Sequence, residues 1–106
     1  MIKAEFLTDS QGLKGFRLSG HAGYAEFGED IVCAAVTSAV QLTANTLTEV
    51  LGVKAELKVM ENVITCKLPS DADPIAAKLL EGLKLHLEIL AEDYEGTIKL
   101  KLSEVF

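Results

Sequence analysis

Apolar and polar residues alternate in two short runs near the start of the chain, over positions 2–7 and 13–19. A period of two is typical of a strand with one buried face. The residues between the two runs, Thr-Asp-Ser-Gln-Gly, are common in turns. This region therefore predicts a β-hairpin whose inward side chains include Ile2, Ala4, Phe6, Phe16 and Leu18.

A long uncharged stretch follows, over residues 31–48. Its apolar residues point in several directions around a helix, which predicts a largely buried helix that ends at Gly52. Threonine, serine, glutamine and asparagine interrupt the apolar positions. Because a bilayer requires a nearly continuous apolar span, we expect no membrane association.

The second half of the chain repeats this order. Alternation over 54–59 and 64–68 predicts a second hairpin, with a turn near Glu61-Asn62. Asp73 before Pro74 is typical of a helix start and predicts a helix over about 73–93. The apolar residues that recur along this helix are Ile75, Leu79, Leu83, Leu87 and Leu90. A last strand is predicted after Gly96.

The predicted order is ββαββαβ, in a single domain over residues 1–106. Hairpins pair antiparallel, and clean alternation indicates one covered face and one open face. We therefore predict an α+β two-layer sandwich, in which both helices cover one face of a five-stranded, mainly antiparallel sheet. The open face of the sheet, or its edge, is the expected surface of a homodimer.

Composition bears on partners and location. The 106 residues include 16 acidic and 10 basic ones, for a net charge of −6. This balance disfavours direct nucleic-acid binding and suits a basic partner. The charged start of the chain does not resemble a signal peptide, so we expect a cytoplasmic protein with reduced thiols.

Candidate chemistry centres on Cys33, which lies near the predicted start of the first helix. The helix dipole and unpaired amides there favour a thiolate, the nucleophilic form of cysteine. His21, twelve residues earlier, is the candidate general base if the intervening loop folds back. The alternative is that Cys33 is a small, inert core residue.

The segment 20–28 is rich in glycine, with Gly20, Gly23 and Gly28, and is expected to form a loop. Its aromatic residues Tyr24 and Phe27 are either a lid over an apolar peptide or pins that hold the loop down.

Three further side chains are of types that can carry chemistry. Asp30 either orients the imidazole of His21 or caps the helix. Cys66 is expected in the core and His86 on the polar side of the second helix. The histidines and cysteines contain no closely spaced ligand pair, so we expect no metal and no cofactor.

Residues 20–36 read GHAGYAEFGEDIVCAAV, and this run resembles the ribosomal-processing cysteine protease (Prp) family. The length and the predicted order of elements are similar to the family over the whole chain. The resemblance implies a homodimeric cytoplasmic endopeptidase that removes a short N-terminal extension from a basic ribosomal protein of the large subunit. It also implies that Cys33 is the nucleophile, that His21 is the general base and that Asp30 supports activity.

One position departs from this family pattern. Thr37 stands where the family commonly has serine, so the hydroxyl is kept and a methyl group is added. We expect Thr37 to support the site, and residues 20–28 to help bind substrate.

Two rival functions remain at this stage. One is a non-catalytic acidic dimer that binds and escorts a basic ribosomal protein. The other is a thiol-dependent redox or acyl-transfer enzyme, which would need a second reactive site besides Cys33.

Overall fold

A computed structural model describes residues 1–20 and 29–105, apart from the side chains of Glu29 and Asp30. Within these residues the elements follow the predicted order ββαββαβ. They are β1 (Ile2–Asp9), β2 (Gly12–Ser19), α1 (Glu29–Asn45), β3 (Glu56–Met60), β4 (Val63–Lys67), α2 (Pro74–Asp93) and β5 (Ile98–Glu104). A π-helical segment, Thr46–Val50, extends α1.

The strands form one sheet in the order β3-β4-β2-β1-β5. Neighbouring strands are antiparallel except β1 and β5, which run parallel and place Ile2 opposite Ile98. Parallel neighbours need a long crossover, and the chain between β1 and β5 includes both helices. The predicted two-layer sandwich with a mainly antiparallel sheet is confirmed.

The core lies between the helices and the middle of the sheet. Phe6 on β1 and Phe16 on β2 are fully buried and pack ring against ring, with centroids 6.2 Å apart. Other core side chains from the sheet are Ile2, Ala4, Leu13, Leu18, Cys66 and Ile98. The helices contribute Val32, Val36, Val40, Ala76, Leu80, Leu83 and Leu87. The alternation in β1 and β2 therefore predicted the buried face correctly.

The prediction that α1 is largely buried is wrong. Its buried residues recur every three or four positions, whereas Ile31 and Leu42 are 63% and 69% exposed. By length and composition alone, Ile31–Val50 could cross a membrane. In a two-layer fold a helix is covered on its sheet side only, which leaves this apolar outer side uncovered. The buried Thr43 hydroxyl donates to the Ala39 carbonyl at 2.8 Å, which satisfies its polar group.

The start of α2 is as predicted. The Asp73 carboxylate accepts a hydrogen bond from the Ile75 amide at 3.0 Å, and Pro74 is the first helical residue. Ile75 itself was predicted to lie on the apolar stripe and is instead 50% exposed. The buried stripe of α2 begins instead at Ala76, whose side chain packs in the core.

β3 is an edge strand, and all five of its residues are exposed. Leu57 and Val59, two apolar residues of the alternating run, are 37% and 77% exposed. The cause is the strand order: α2 contacts β2 and β5, which lie away from β3. The alternating pattern therefore predicted that β3 is a strand, but it did not predict that no helix packs over it.

The face of the sheet away from the helices, here called the open sheet face, is strongly basic. Its alternate residues on the five strands include Lys3, Arg17, Lys58, Lys67, Lys99 and Lys101, together with Glu5 and Glu56. Six basic and two acidic side chains give the described part of this face a net charge of +4, in a chain whose total is −6. Asp9 and Lys14, at the turn end of the β1–β2 hairpin, lie 3.9 Å apart and together add no net charge.

Candidate active site

Cys33 lies at the border between the core and the surface. It is the fifth residue of α1, and its neighbours Val32 and Val36 are 0% and 3% exposed. These two buried valines set the rotation of the helix, so that Cys33 packs against the core and remains half-buried. A half-buried thiol is accessible to a substrate while its surroundings hold it in place.

Cys33 lies one turn after the first backbone amides of α1. The first amides of a helix have no partner within the helix, and helical side chains tilt toward the N-terminus. The Cys33 side chain therefore leans toward the first turn, where the helix dipole favours a negative charge. A thiolate at Cys33 stays a prediction from the sequence.

Of the two roles considered for Asp30, capping α1 does not agree with the bounds of the helix. The helix begins at Glu29, so Asp30 is its second residue. Acidic residues are favourable throughout the first turn because of the helix dipole, so their presence does not identify which residue is the cap. Cys33 correspondingly begins the second turn rather than lying in the first.

The predicted partner of Cys33 lies outside the described residues. His21 does, and so do the loop residues Gly23, Tyr24, Phe27 and Gly28. Their proposed roles therefore rest on the sequence.

Gly20 is the described residue next to this segment, and its geometry requires glycine. Its φ is +80°, and an added Cβ would lie 2.5 Å from the Met1 carbonyl oxygen. Its amide donates to the Asn62 carbonyl at 3.3 Å, so the end of β2 is tied to the β3–β4 turn. The segment that carries His21 thus leaves the sheet from a fixed point.

Thr37 lies one turn after Cys33 on α1 and is half-buried. Residues four apart on a helix are neighbours on its surface, so the threonine hydroxyl and methyl group lie beside the thiol. This is the position at which the chain departs from the serine expected from the resemblance.

Cys66 differs from Cys33 in every respect that matters for reactivity. It is 1% exposed, its side chain lies in the core, and burial raises the pKa of its thiol to about 11. The core role predicted for Cys66 is confirmed. It is not an accessible second thiol of the kind a redox enzyme would need.

His86 is exposed on α2 and lines a groove of about 460 Å³ between α1 and α2. Sequence reasoning did not identify this groove, which is also lined by Ala35, Ser38, Ala39, Leu42, Thr43, Leu79, Gly82 and Leu83. Among the described residues, no group of three histidine, cysteine, aspartate or glutamate side chains is arranged to hold a metal ion.

Sequence comparison places these features among known proteins. The profile of the family described as cysteine protease Prp matches residues 1–99. The ribosomal processing cysteine protease Prp of Bacillus subtilis (strain 168) is 31% identical over 99 residues, which cover 88% of both chains.

Solved structures agree with this match at the level of the fold. The crystal structure of SMU.848 from Streptococcus mutans has a TM-score of 0.88 and 27% identity, and the match covers 99% of each chain. The crystal structure of S. aureus Prp with a substrate peptide has a TM-score of 0.89 and 18% identity. That match covers 96% of this chain and 99% of the other.

Proposed function

Because the chain belongs to the cysteine protease Prp family, we propose that it is a cytoplasmic endopeptidase that removes a short N-terminal extension from a large-subunit ribosomal protein. Its B. subtilis relative is a ribosomal processing cysteine protease. The observation that carries the proposal is the half-buried position of Cys33 near the start of α1. Membership of a protease family also argues against the alternative function of a non-catalytic dimer that escorts a ribosomal protein.

In the proposed mechanism the imidazole of His21 accepts the proton of the Cys33 thiol. The thiolate attacks the scissile carbonyl carbon, and the carbonyl electrons move onto its oxygen. When this intermediate collapses, the C–N bond breaks, the amine takes the proton from His21, and a thioester to Cys33 remains. Water, deprotonated by His21, then hydrolyses the thioester and regenerates the thiol.

The developing oxyanion needs hydrogen-bond donors. The first-turn amides of α1, which have no partner within the helix, are the donors nearest in sequence to Cys33. Each such donor is typically worth about 3 kcal/mol of transition-state stabilisation. The same turn therefore favours the thiolate before attack and the oxyanion after it.

The basic substrate is matched by the charge of the remaining surface. The open sheet face carries +4, so residues elsewhere in the chain carry −10 of the total of −6. Such a field accelerates the approach of a cationic protein. We propose that the substrate approaches the surface outside the open sheet face.

The deciding experiment is mass spectrometry of a ribosomal protein that retains its N-terminal extension, after incubation with the chain. Cys33→Ala is expected to abolish removal of the extension, because alanine supplies no nucleophile. Cys66→Ala is the matched control and is expected to cleave, since it removes the buried thiol only. Circular dichroism verifies that both variants are folded. Undiminished cleavage by Cys33→Ala would disprove the assigned nucleophile.

We also propose that the protein is a homodimer that associates through the outer side of its helix layer. That side exposes Ile31, Leu42, Ile75, Leu85 and Ile89, and the groove between the helices runs along it. Residues 31–48 contain no charged side chain, so two copies of α1 meet without like-charge repulsion.

A further inference from the structure

The open sheet face concentrates most of the chain's positive charge on one side of the molecule. Six of the ten basic residues lie there. The alternating pattern of the strands explains the separation, because two lysines occupy alternate positions of β5 and each of the other four strands has one basic residue at an outward position. The net charge of the chain averages over both sides and conceals this face.

Two of these lysines are placed where they oppose folding rather than support it. Lys3 on β1 is directly opposite Lys99 on β5, and like charges in this arrangement destabilise a sheet. Among the described residues, no carboxylate lies within 4.0 Å of Lys3, Lys67 or Lys99. Their charge therefore remains available to an external partner.

The two acidic residues of the face neutralise little of this charge. Glu5 lies 3.9 Å from Lys101 and accepts a hydrogen bond from Ser103 at 2.7 Å. Glu56 lies 3.3 Å from Lys58. Both carboxylates are thus occupied by neighbours on the same face, and the surrounding cations outnumber them.

The surface between these side chains is shallow. Two hollows, of about 390 Å³ and about 500 Å³, are bordered by both Glu5 and Arg17 and together extend across the sheet. Five strands at roughly 4.8 Å spacing make the face about 20 Å wide. None of its described outward side chains is aromatic, so stacking of unpaired bases has no platform there.

We propose that the open sheet face binds the phosphate backbone of double-stranded RNA. A flat array of cations suits the wide, shallow minor groove of an A-form duplex, with its two bordering rows of phosphates. It lacks the protruding helix or ribbon that reads the major groove of B-form DNA. Binding is expected to be independent of sequence and strongly dependent on salt.

This surface is separate from the proposed cleavage site, because Cys33 packs on the helix side of the sheet. RNA bound to the open sheet face leaves the rest of the surface open to a basic protein. The RNA proposal and the protease proposal can therefore fail independently.

The test is fluorescence anisotropy of a labelled RNA duplex of about 16 base pairs, titrated with the full chain between about 50 and 200 mM salt. Lys3→Glu/Lys99→Glu is the test variant. Lys78→Glu/Lys84→Glu changes the net charge equally at lysines of α2, on the other side of the sheet. We expect the test variant to lose at least about tenfold in affinity and the control to change less than about threefold.

The salt dependence provides a second readout. Removing two phosphate contacts should reduce the slope of log K against log salt by about 2 in the test variant and leave it unchanged in the control. If the charge reversals unfold the chain, Lys3→Gln/Lys99→Gln replaces them. We expect the test variant to remove the N-terminal extension at the same rate as the unmutated chain.

Three results would overturn the proposal. The first is absence of RNA binding by the unmutated chain at about 50 mM salt. The second is equal weakening by the test and control variants, which would indicate a general charge effect. The third is equal or tighter binding of a DNA duplex of the same sequence, or of a glutamate-rich peptide, in place of the RNA.

Discussion

At the residue scale, the two cysteines show how burial separates a structural thiol from a reactive one. Cys33 is half-buried at a helix start, whereas Cys66 is enclosed in the core. The spacing of the sequence alone suits a core role for both. The difference arises because Cys66 is on an interior strand beneath the helices, while Cys33 is at the margin of its helix's buried stripe.

Burial of Cys66 predicts a specific pH dependence of stability. Its pKa is about 11 in the folded chain and 9.0 as an ordinary thiol, so the unfolded chain ionises first as pH rises. The contribution to stability is full below pH 9.0 and is lost as pH rises toward 11. Cys66→Ala removes this contribution, and its stability should therefore fall less over the same interval.

Urea denaturation at about pH 8 and about pH 10.5 measures this effect in both proteins. Other groups titrate in the same range. The relevant quantity is therefore the difference between the unmutated chain and Cys66→Ala in how far the free energy of unfolding falls with pH. Cys33→Ala serves as the control, because it alters a half-buried thiol in place of the enclosed one. If the free energy of unfolding falls equally with pH in the unmutated chain and in Cys66→Ala, burial of the Cys66 thiol is not the cause.

At the element scale, α2 shows a boundary that local chemistry determines. Asp73→Ala removes the hydrogen bond to the Ile75 amide and should lower the free energy of unfolding by about 1 kcal/mol. Asp71→Ala is the control, since it removes the same charge from the exposed turn before the helix. Chemical denaturation distinguishes them. A similar loss in both variants would attribute the effect to charge and not to capping.

The elements also show where sequence reasoning stops. The Asp73-Pro74 pair and the period-two strands are local signals, and they predicted α2, β1 and β2 well. Exposure of Leu57 and of Leu42 depends on which elements lie beside them, and no local pattern contains that information. The π-helical segment Thr46–Val50 was not predicted either, because the local sequence pattern does not show which carbonyl each amide will bond.

At the scale of the whole molecule, the fold sorts charges and apolar surface to different sides. The helix layer exposes apolar side chains, and the open sheet face exposes cations. The family motif around Cys33 predicted the cleavage chemistry from sequence. Net charge did not predict the basic face, because six cations there are outnumbered by carboxylates elsewhere.

The same division allows the proposed dimer interface to be tested. Leu42 on α1 and Val59 on the β3 edge are similarly exposed, at 69% and 77%. Leu42→Lys should dissociate the dimer, because a charge would be buried without a partner between two uncharged helices. Val59→Lys should leave it intact. Analytical ultracentrifugation gives the mass of each variant.

The reverse result would place the interface at the edge of the sheet. Two β3 strands would then pair through their unpaired backbone groups, and Val59→Lys would disturb the contact while a change at Leu42 would not.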